Sequence, residues 1–435
     1  MKFRTGVPAT LALAMVLAGC GGGAGAPAAP PAAGASDLSG QTVEVTAVWS
    51  DEEQTAFETV LAEFESRTGA EVSYTSAGDE LPTVLQTRLA GGAPPDVAVI
   101  PQPGFVAELA RAGSLQPLSA AAESVIDEQY APVWKELGTV DGALYGLVFK
   151  AANKSTVWYD AQALGTGFTP PTDLAGLTEL LRTQSDSGAT PLSLGAADGW
   201  TLTDWFENVY LRTAGPESYD ALAAHEIPWT DPTVRTALDQ LAQVWQPQYV
   251  PGGAESALQT EFTDSVVNVF GDTPSASIVY EGDFVAGVIS ESTSSVVGED
   301  ADYFRFPDVD GASGVVSGGD TVVTLTPNPA AAALVEFLAS ADAATIWAEI
   351  GGFISPNGQV TPDAYPDETT RSIATDLASA ETVRFDMSDL MPAAFGGTDG
   401  AGFWKGMQDV LADPSQTDAI LADLEAQAVT AYAGS

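Results

Sequence analysis

Residues 42–100 read TVEVTAVWSDEEQTAFETVLAEFESRTGAEVSYTSAGDELPTVLQTRLAGGAPPDVAVI, and the order of patterns in this stretch decides the fold class. Apolar residues at every second position from Val43 to Trp49 predict a first strand. Large apolar residues at helical spacing follow until Gly69, and a second strand, a second helix and an apolar strand that ends at Ile100 come next. This βαβαβ order predicts an α/β fold with a mostly parallel sheet, right-handed crossovers and helices on both faces.

Polar residues stand in the loops that follow these three strands. Asp51 comes after the first strand, Asp79 after the second and Gln102 after the third. Ligands of open α/β sheets meet the loops at the carboxyl ends of the strands, so these residues are candidates for ligand binding. Asp51 and Asp79 also have an alternative role, because acidic residues in the first turn of a helix favour its dipole.

The first forty residues have the pattern of an exported and lipid-anchored protein. Two basic residues precede an apolar run from Leu11 to Leu17, and small residues then lead to Cys20. This pattern is similar to a bacterial lipoprotein signal, which implies that residues 1–19 are removed and that Cys20 is acylated at the outer face of the cytoplasmic membrane. Residues 20–39 form a Gly/Ala/Pro-rich tether. The alternative is a secreted protein in which the cysteine lies near a cleavage site by chance.

Composition excludes several functional classes. The 59 acidic and 15 basic residues give a formal charge of −44, which disfavours nucleic acid and anionic lipid as partners. Cys20 is the only cysteine, so the sequence predicts no disulfide and no thiolate metal cluster. A catalytic triad would have to use His225, the only histidine, and no GxSxG motif accompanies it. We therefore expect no catalytic residue, no bound metal and no cofactor.

The remainder of the chain predicts a second lobe. About 400 residues follow the leader, which is more than one hydrophobic core usually serves. From Trp158 to about Gly314 the pattern changes to longer helices with aromatic faces. An apolar strand returns at Thr321–Leu325, and helical segments continue to the end of the chain.

Seven segments occur in an order and spacing that carry a family resemblance: RLAGGAPPDVAVIPQPG (88–104), LYGLVFKAANKSTVWYD (144–160), TPPTDLAGL (169–177), EGDF (281–284), GGDTVVTL (318–325), GGFISPN (351–357) and FDMSDLMP (385–392). Together with the leader they resemble the extracellular solute-binding proteins of ABC transporters, in the maltose-binding-like class (family 1) and its carbohydrate-uptake branch. The resemblance extends from Thr42 to about Tyr432. It implies a clamshell of two α/β lobes, joined by three hinge crossings, that closes on a ligand in the cleft.

The resemblance also implies lobe boundaries. The N-terminal lobe comprises residues 40–150 and 319–350, the C-terminal lobe residues 151–314 and 355–435, and the hinge segments residues 315–318 and 351–354. The three crossings fall near Lys150–Asn153, Val315–Gly318 and Phe353–Pro356. Glycines at positions 318, 319, 351 and 352 favour this interpretation, because glycine accepts the backbone changes that a hinge requires.

A sugar presents hydroxyls around its ring and C–H groups on its faces, so a sugar site needs carboxylates or amides and an aromatic platform. Trp200 is the predicted platform, since it follows the turn at Asp198-Gly199 and precedes a helix. Trp205 on that helix and Phe353 in the third hinge segment are further aromatic candidates, and core packing is the alternative role of Trp205.

Charged candidates come from the matched segments. Lys150 lies next to a predicted hinge crossing, and a solvated strand end is its alternative role. Glu281, Asp283 and Asp320 lie in the segments EGDF and GGDTVVTL.

The resemblance implies a monomeric binding protein, without catalysis, that captures a glucoside or another oligosaccharide and delivers it to a membrane permease. One alternative is a lipid-anchored glycoside hydrolase, which also uses carboxylate pairs. The chain does not show the eight βα repeats of a barrel hydrolase. A receptor for a small cationic solute stays open because the chain is acidic, whereas the scarcity of histidine disfavours a metal-ion receptor.

Overall fold

The computed structural model describes residues 37–434, so the predicted leader, Cys20 and most of the predicted tether lie outside the described residues. The strands are β1 (Thr42–Ala47), β2 (Glu71–Ser76), β3 (Val97–Ile100), β4 (Thr139–Val140), β5 (Ala143–Leu144), β6 (Gly146–Asn153), β7 (Thr156–Asp160), β8 (Leu192–Ser193), β9 (Ile278–Glu281), β10 (Ala301–Arg305), β11 (Val315–Thr324) and β12 (Val383–Phe385).

The helices are α1 (Asp51–Thr68), α2 (Leu81–Ala90), α3 (Pro103–Arg111), α4 (Ala120–Gln129), α5 (Pro132–Leu137), α6 (Ala161–Leu164), α7 (Leu174–Asp186), α8 (Trp200–Ala214), α9 (Pro216–Ala223), α10 (Pro232–Val244), α11 (Gly253–Ala257), α12 (Phe262–Phe270), α13 (Val285–Ser292), α14 (Pro329–Leu338), α15 (Ala341–Ile350), α16 (Glu368–Ser379), α17 (Met387–Leu390), α18 (Ala393–Gly396), α19 (Gly402–Ala412) and α20 (Thr417–Tyr432). No single helix within 37–434 is long and apolar enough to span a membrane; α14 and α15 have that length and composition only as a pair bent by 63°.

The first sheet begins with the predicted βαβαβ unit. β1 pairs in parallel with both β2 and β3, as the βαβαβ order predicts. β11 then pairs antiparallel with β3 and with β6, and parallel with β12. The sheet is therefore mixed rather than mostly parallel, because a strand from late in the chain runs against β3.

Side-chain alternation along the central strands places a core on each face of this sheet. Val97 and Val99 of β3 pack into one buried cluster, whereas Ala98 and Ile100 pack into another. Successive side chains of a strand point to opposite faces, so helices cover both sides, as predicted.

The second sheet has the order β10-β7-β9-β8 and belongs to the second lobe. Val157 of β7 joins the large cluster around α8, and Trp158 joins the cluster around α12 and α13 on the opposite face. Nearly the whole surface of α8 is buried from Thr201 to Arg212, which is typical of a helix in the middle of a lobe.

The three predicted hinge segments lie side by side. Ala152 of β6 is paired with Gly318 of β11, and the Ala151 N–H donates to the carbonyl of Ile354 at 2.8 Å. Their role as hinges stays a prediction. β12 lies within residues 355–435, which were predicted for the C-terminal lobe, and yet this strand joins the first sheet.

Glycine is required in the predicted hinge segments for two different structural reasons. Gly351 and Gly352 have φ angles of 107° and 64°, in the region that favours glycine. Gly319 lies within β11, where an added Cβ would be 2.8 Å from the Lys150 carbonyl oxygen. Close approach of β6 and β11, rather than backbone freedom, therefore requires glycine at this position.

The folded body begins earlier than the predicted tether boundary. Leu38 is buried in the core of the first lobe, and its N–H donates to the carbonyl of Thr68 at 2.8 Å. The burial of this apolar side chain removes residue 38 from the flexible segment.

Candidate ligand-binding cleft

A cavity with a volume of about 570 Å³ lies between the two lobes. The loops after β1, β2 and β3 line it from the first lobe, and the residues around Trp200, Phe262 and Phe284 line it from the second. Its size lies in the range of pockets that enclose small organic ligands.

The structure brings six of the predicted site residues together on the cavity wall. They are Asp51, Asp79, Gln102, Lys150, Trp200 and Asp320. The first three stand at the carboxyl ends of neighbouring strands, which is why the sequence pattern could find them. Their role in ligand binding stays a prediction.

Two predicted aromatic residues lie in the core behind the wall, and we remove them from the candidate site. Trp205 is fully buried in the core of the second lobe, where its ring centroid lies 4.4 Å from that of Tyr280. Phe353 is stacked on Trp347 with ring centroids 5.2 Å apart. Both side chains pack in the core. For Trp205, core packing is the alternative role that the sequence analysis gave.

Two predicted acidic residues are likewise absent from the wall. The Glu281 side chain is fully buried, and the Asp283 carboxylate accepts a hydrogen bond from the Asn153 N–H at 2.7 Å. Burial raises the pKa of Asp283 to about 6, with Lys150 opposing the shift. The segment EGDF thus contributes Phe284 to the wall instead of its carboxylates.

Lys150 lines the cavity but is almost fully buried, and its ammonium is held by acidic neighbours. Its ammonium forms an ion pair with Glu53, and its Nζ lies 5.5 Å from the Trp347 ring centroid. Burial opposes the charged form of this lysine, but Glu53, Asp320 and Asp283 outweigh that effect and raise its pKa. Lys150 is therefore a fixed positive charge whose partners are already in place.

Asp320 faces the same lysine from β11. Its Oδ2 accepts a hydrogen bond from the Trp49 indole N–H at 3.3 Å. Burial raises the pKa of Asp320 to about 6, Glu53 adds to the shift, and Lys150 opposes it. The Trp49 indole and the Lys150 ammonium thus both hold the Asp320 carboxylate, which remains on the cavity wall.

Trp200 begins α8 and forms part of an aromatic surface. Gly199 before it has a φ of 83°, which completes the predicted turn. The Trp200 ring lies 5.3 Å from Phe262 and 6.0 Å from Phe284 between centroids. The side chain is half-buried and lines the cavity, so the ring is supported by neighbouring aromatic rings without being enclosed by them.

Lys154 connects the wall to a buried acidic cluster, which we define as Asp204, Glu207, Glu281, Asp386 and Asp389. Its Nζ lies 3.2 Å from an Asp204 oxygen, forms an ion pair with Asp386, and stands 5.5 Å from the Trp200 ring centroid. Burial would raise the pKa of Asp386, but Lys154 and hydrogen bonds lower it to about 2.

Oxygens of Asp204, Glu207 and Asp386 lie within 4.8 Å of one another, a spacing that could suit a metal ion. Internal donors already serve this group. Glu207 accepts hydrogen bonds from the Tyr219 hydroxyl at 2.7 Å and from the Ser388 N–H at 3.0 Å. The Lys154 ammonium supplies positive charge to the other two carboxylates, so the group forms an internal ion-pair network.

The sequence analysis missed several residues of the wall: Lys154, Phe262, Phe284, Asp389 and Trp404. Lys154, Phe284 and Asp389 lie in segments that carry the family resemblance, which is a signal that could have found them. Phe262 and Trp404 reach the cavity only through the packing of α12 and α19, so no local pattern marks them.

Comparison with known proteins agrees with this geometry. Residues 49–345 match the family model described as bacterial extracellular solute-binding protein. The chain belongs to this family. The family and the predicted two-lobe α/β fold are thereby confirmed.

Two curated relatives cover nearly the whole of this solute-binding protein. The osmoprotective compounds-binding protein GgtB of Synechocystis sp. is 36% identical over 388 residues, which are 87% of this chain and 90% of GgtB. The alpha-glucosides-binding periplasmic protein AglE of Rhizobium meliloti is 35% identical over 402 residues, 88% of this chain and 86% of AglE. Among solved structures, the solute receptor AcbH matches with a TM-score of 0.78 at 20% identity, covering 90% of this chain and 99% of AcbH.

Proposed function

We propose that this protein is the substrate-binding component of an ABC importer, and that it captures a glucoside or another oligosaccharide and delivers it to the membrane permease. The observation that carries the proposal is the cavity between the lobes, which combines the half-buried Trp200 ring with carboxylates from both lobes. The names of the relatives GgtB and AglE support an organic solute of this kind.

The two halves of the wall suit the two surfaces of a sugar. The Trp200 ring offers a flat apolar face for C–H groups. Carboxylates such as Asp51 and Asp320 accept hydrogen bonds from hydroxyls. Such a wall binds by many directed contacts around a ring, and lobe closure about the three adjacent segments would bring them together.

Binding without catalysis is part of the proposal. Its support is the family, whose members are described as solute-binding proteins. Nothing in the comparisons favours the glycoside hydrolase. Incubation of the purified protein with each bound sugar should leave that sugar intact, whereas product that increases with protein concentration would favour the hydrolase.

A thermal-shift screen tests the ligand class. The panel contains trehalose, maltose, sucrose, glucosylglycerol and raffinose, with spermidine as the probe for the cationic-solute alternative. A ligand that binds only the folded state at about 100 times its Kd adds roughly 2.7 kcal/mol to the free energy of unfolding. A shift with a sugar, confirmed by calorimetric titration, supports the proposal; a shift with spermidine alone contradicts it.

The lipid anchor is a separate part of the proposal, resting on the leader sequence and Cys20. Cys20→Ala is expected to release the protein from the membrane fraction while its thermal melt stays unchanged, since residues from Leu38 onward form the folded body. Ser36→Ala is the matched control, because it changes the tether without removing the thiol. Membrane retention of Cys20→Ala after the leader has been cleaved would contradict the anchor.

A further inference from the structure

We propose that Asp79, Gln102, Asp198 and Trp404 form a subsite for a protonated amine carried by the sugar ligand, so that the preferred ligand class is an amino sugar or another basic glycoside. This inference rests on the proposed sugar-binding function and names the chemistry of one part of the same cleft. We call these four residues the amine subsite.

Two carboxylates of the amine subsite come from opposite lobes. Asp79 lies in a short 3₁₀ turn at Gly78–Glu80, which follows β2 in the first lobe. Asp198 precedes α8 in the second lobe, and its Oδ2 is held by the Phe262 N–H at 2.6 Å. Both side chains line the cavity, and the Asp198 charge acts directly on Asp79.

The amine subsite also contains two buried polar atoms that have no partner within residues 37–434. They are the Gln102 Oε1, an acceptor, and the Trp404 Nε1, a donor. Each of these residues is only 4% exposed, and each lines the cavity. Buried polar atoms in proteins are almost always hydrogen-bonded, and a ligand that offers both a donor and an acceptor would satisfy this pair.

Packing places Trp404 beside the turn that carries Asp198, and Gln102 beside Gly397. The Trp404 Cβ lies 2.9 Å from the position that a Cβ on Gly199 would occupy, next to Asp198. Gln102 contacts Gly397, where an added Cβ would be 3.1 Å from its Nε2. Gly397 is close in sequence to Asp399, whose charge acts on both carboxylates of the subsite.

No cation of the cavity wall is left to neutralise this region. The two lysines that line the cavity are Lys150 and Lys154. Lys150 is paired with Glu53, and Lys154 with Asp204 and Asp386. A bound cation would thus be the partner that Asp79 and Asp198 lack, whereas an acidic sugar would add to the repulsion.

The neighbouring charges that act most strongly on Asp79 and Asp198 are carboxylates too: Glu80, Glu261, Asp264 and Asp399. Partial removal from water inside the cleft raises the pKa of Asp79 to about 7, and repulsion from the Asp198 charge is the second largest cause of this shift. Partial removal from water also raises the pKa of Asp198 to about 6, and the Phe262 N–H opposes the shift. Both carboxylates lose charge as the pH falls through these values, so affinity for a cationic sugar should fall between pH 7.5 and pH 5.5.

Calorimetric titration with matched ligand pairs tests the inference. The pairs are trehalose with 6-amino-6-deoxytrehalose, and maltose with its 6-amino-6-deoxy analogues, since these primary amines are protonated at pH 7.5. We expect at least one amine to bind tenfold more tightly than its neutral parent at pH 7.5, and this preference to shrink at least threefold at pH 5.5.

Two variants locate the effect. Asp79→Asn and Asp198→Asn should each reduce the preference for the amine over its neutral parent at least fivefold, because the ratio of the two affinities cancels any contact that both ligands share. Glu291→Gln is the matched control, because Glu291 lines the same cavity but lies beside Glu52 and Asp51. Thermal melts first establish that each variant is folded.

The outcomes separate the inference from the proposed function. Equal affinity for amine and parent overturns the amine subsite and leaves sugar binding intact. An equal loss of preference in Glu291→Gln and Asp79→Asn also overturns it, because the effect then comes from the general charge of the cleft. Failure of every sugar and amino sugar to bind overturns both proposals.

Discussion

Lys154→Met is expected to destabilise the folded protein by about 3–5 kcal/mol, because it leaves buried carboxylates without their positive partner. Lys154 is paired with Asp204 and Asp386, whose side chains are essentially inaccessible to solvent. Methionine preserves most of the side-chain volume, so the loss reports the charge and not a cavity. Chemical denaturation at pH 7.5 measures the change in the free energy of unfolding.

The loss should also depend on pH. In the native protein the lowered pKa of Asp386 stabilises the fold above the ordinary value of 3.8, and this contribution is lost as the pH falls toward about 2. Without Lys154, burial opposes the charged form of the same carboxylate, so its ionisation above pH 3.8 should destabilise the variant. The difference between native protein and variant should therefore be larger at pH 7.5 than at pH 5.5.

Two further variants control for this interpretation. Lys150→Met should cost less, because its partner Glu53 has 36% of its side chain exposed and can regain water. Adding Asp386→Asn to Lys154→Met should recover part of the lost stability, since one unpaired buried charge is removed. Equal losses for the two lysine variants, with no recovery in the double variant, would show that Lys154 does not balance the acidic cluster.

Trp200→Ala is expected to reduce affinity for the bound sugar more than tenfold, with little effect on stability. The ring is half-buried on the cavity wall and lies beside Phe262 and Phe284. An aromatic anchor at the centre of an interface often costs 2 kcal/mol or more on truncation, which exceeds a tenfold change in Kd. Calorimetric titration with the sugar found by the screen measures the loss, and Trp200→Phe should restore part of it.

Trp205→Ala is the matched control, five residues further along α8. Trp205 is fully buried, so its truncation should cost about 3–5 kcal/mol of folding free energy. If Trp200→Ala instead lowers the melting temperature by many degrees and leaves Kd within twofold, Trp200 is a packing residue. The proposed platform would then have to be sought among Phe262, Phe284 and Trp404.

Local patterns predicted the elements that form from neighbouring residues. The alternation from Val43 and the helical spacing that ends at Gly69 correspond to β1 and α1, and the third apolar run corresponds to β3. Residues at the carboxyl ends of these strands reached the cavity wall as predicted, because strand order alone brings those ends to one edge of a sheet.

The antiparallel pairing of β6 and β11 was not predictable in this way, because it joins residues more than 150 positions apart. The glycines of β11 show the same limitation. Gly318 and Gly319 suggest a flexible hinge from sequence, but each is explained by what approaches it: the Lys154 side chain and the Lys150 carbonyl. Such contacts exist only after two distant segments pair.

The sequence by itself determined the α/β class, the family and the carboxylates that follow β2 and β1, since each depends on local periodicity and on the order of segments. Only the tertiary structure decided which polar groups are satisfied. It buried Glu281 and Asp283, paired Lys150 and Lys154 internally, and placed Asp79 and Asp198 on the wall of the same cavity. The physical reason is that burial and charge pairing are set by residues far apart in the chain, which local sequence patterns do not encode.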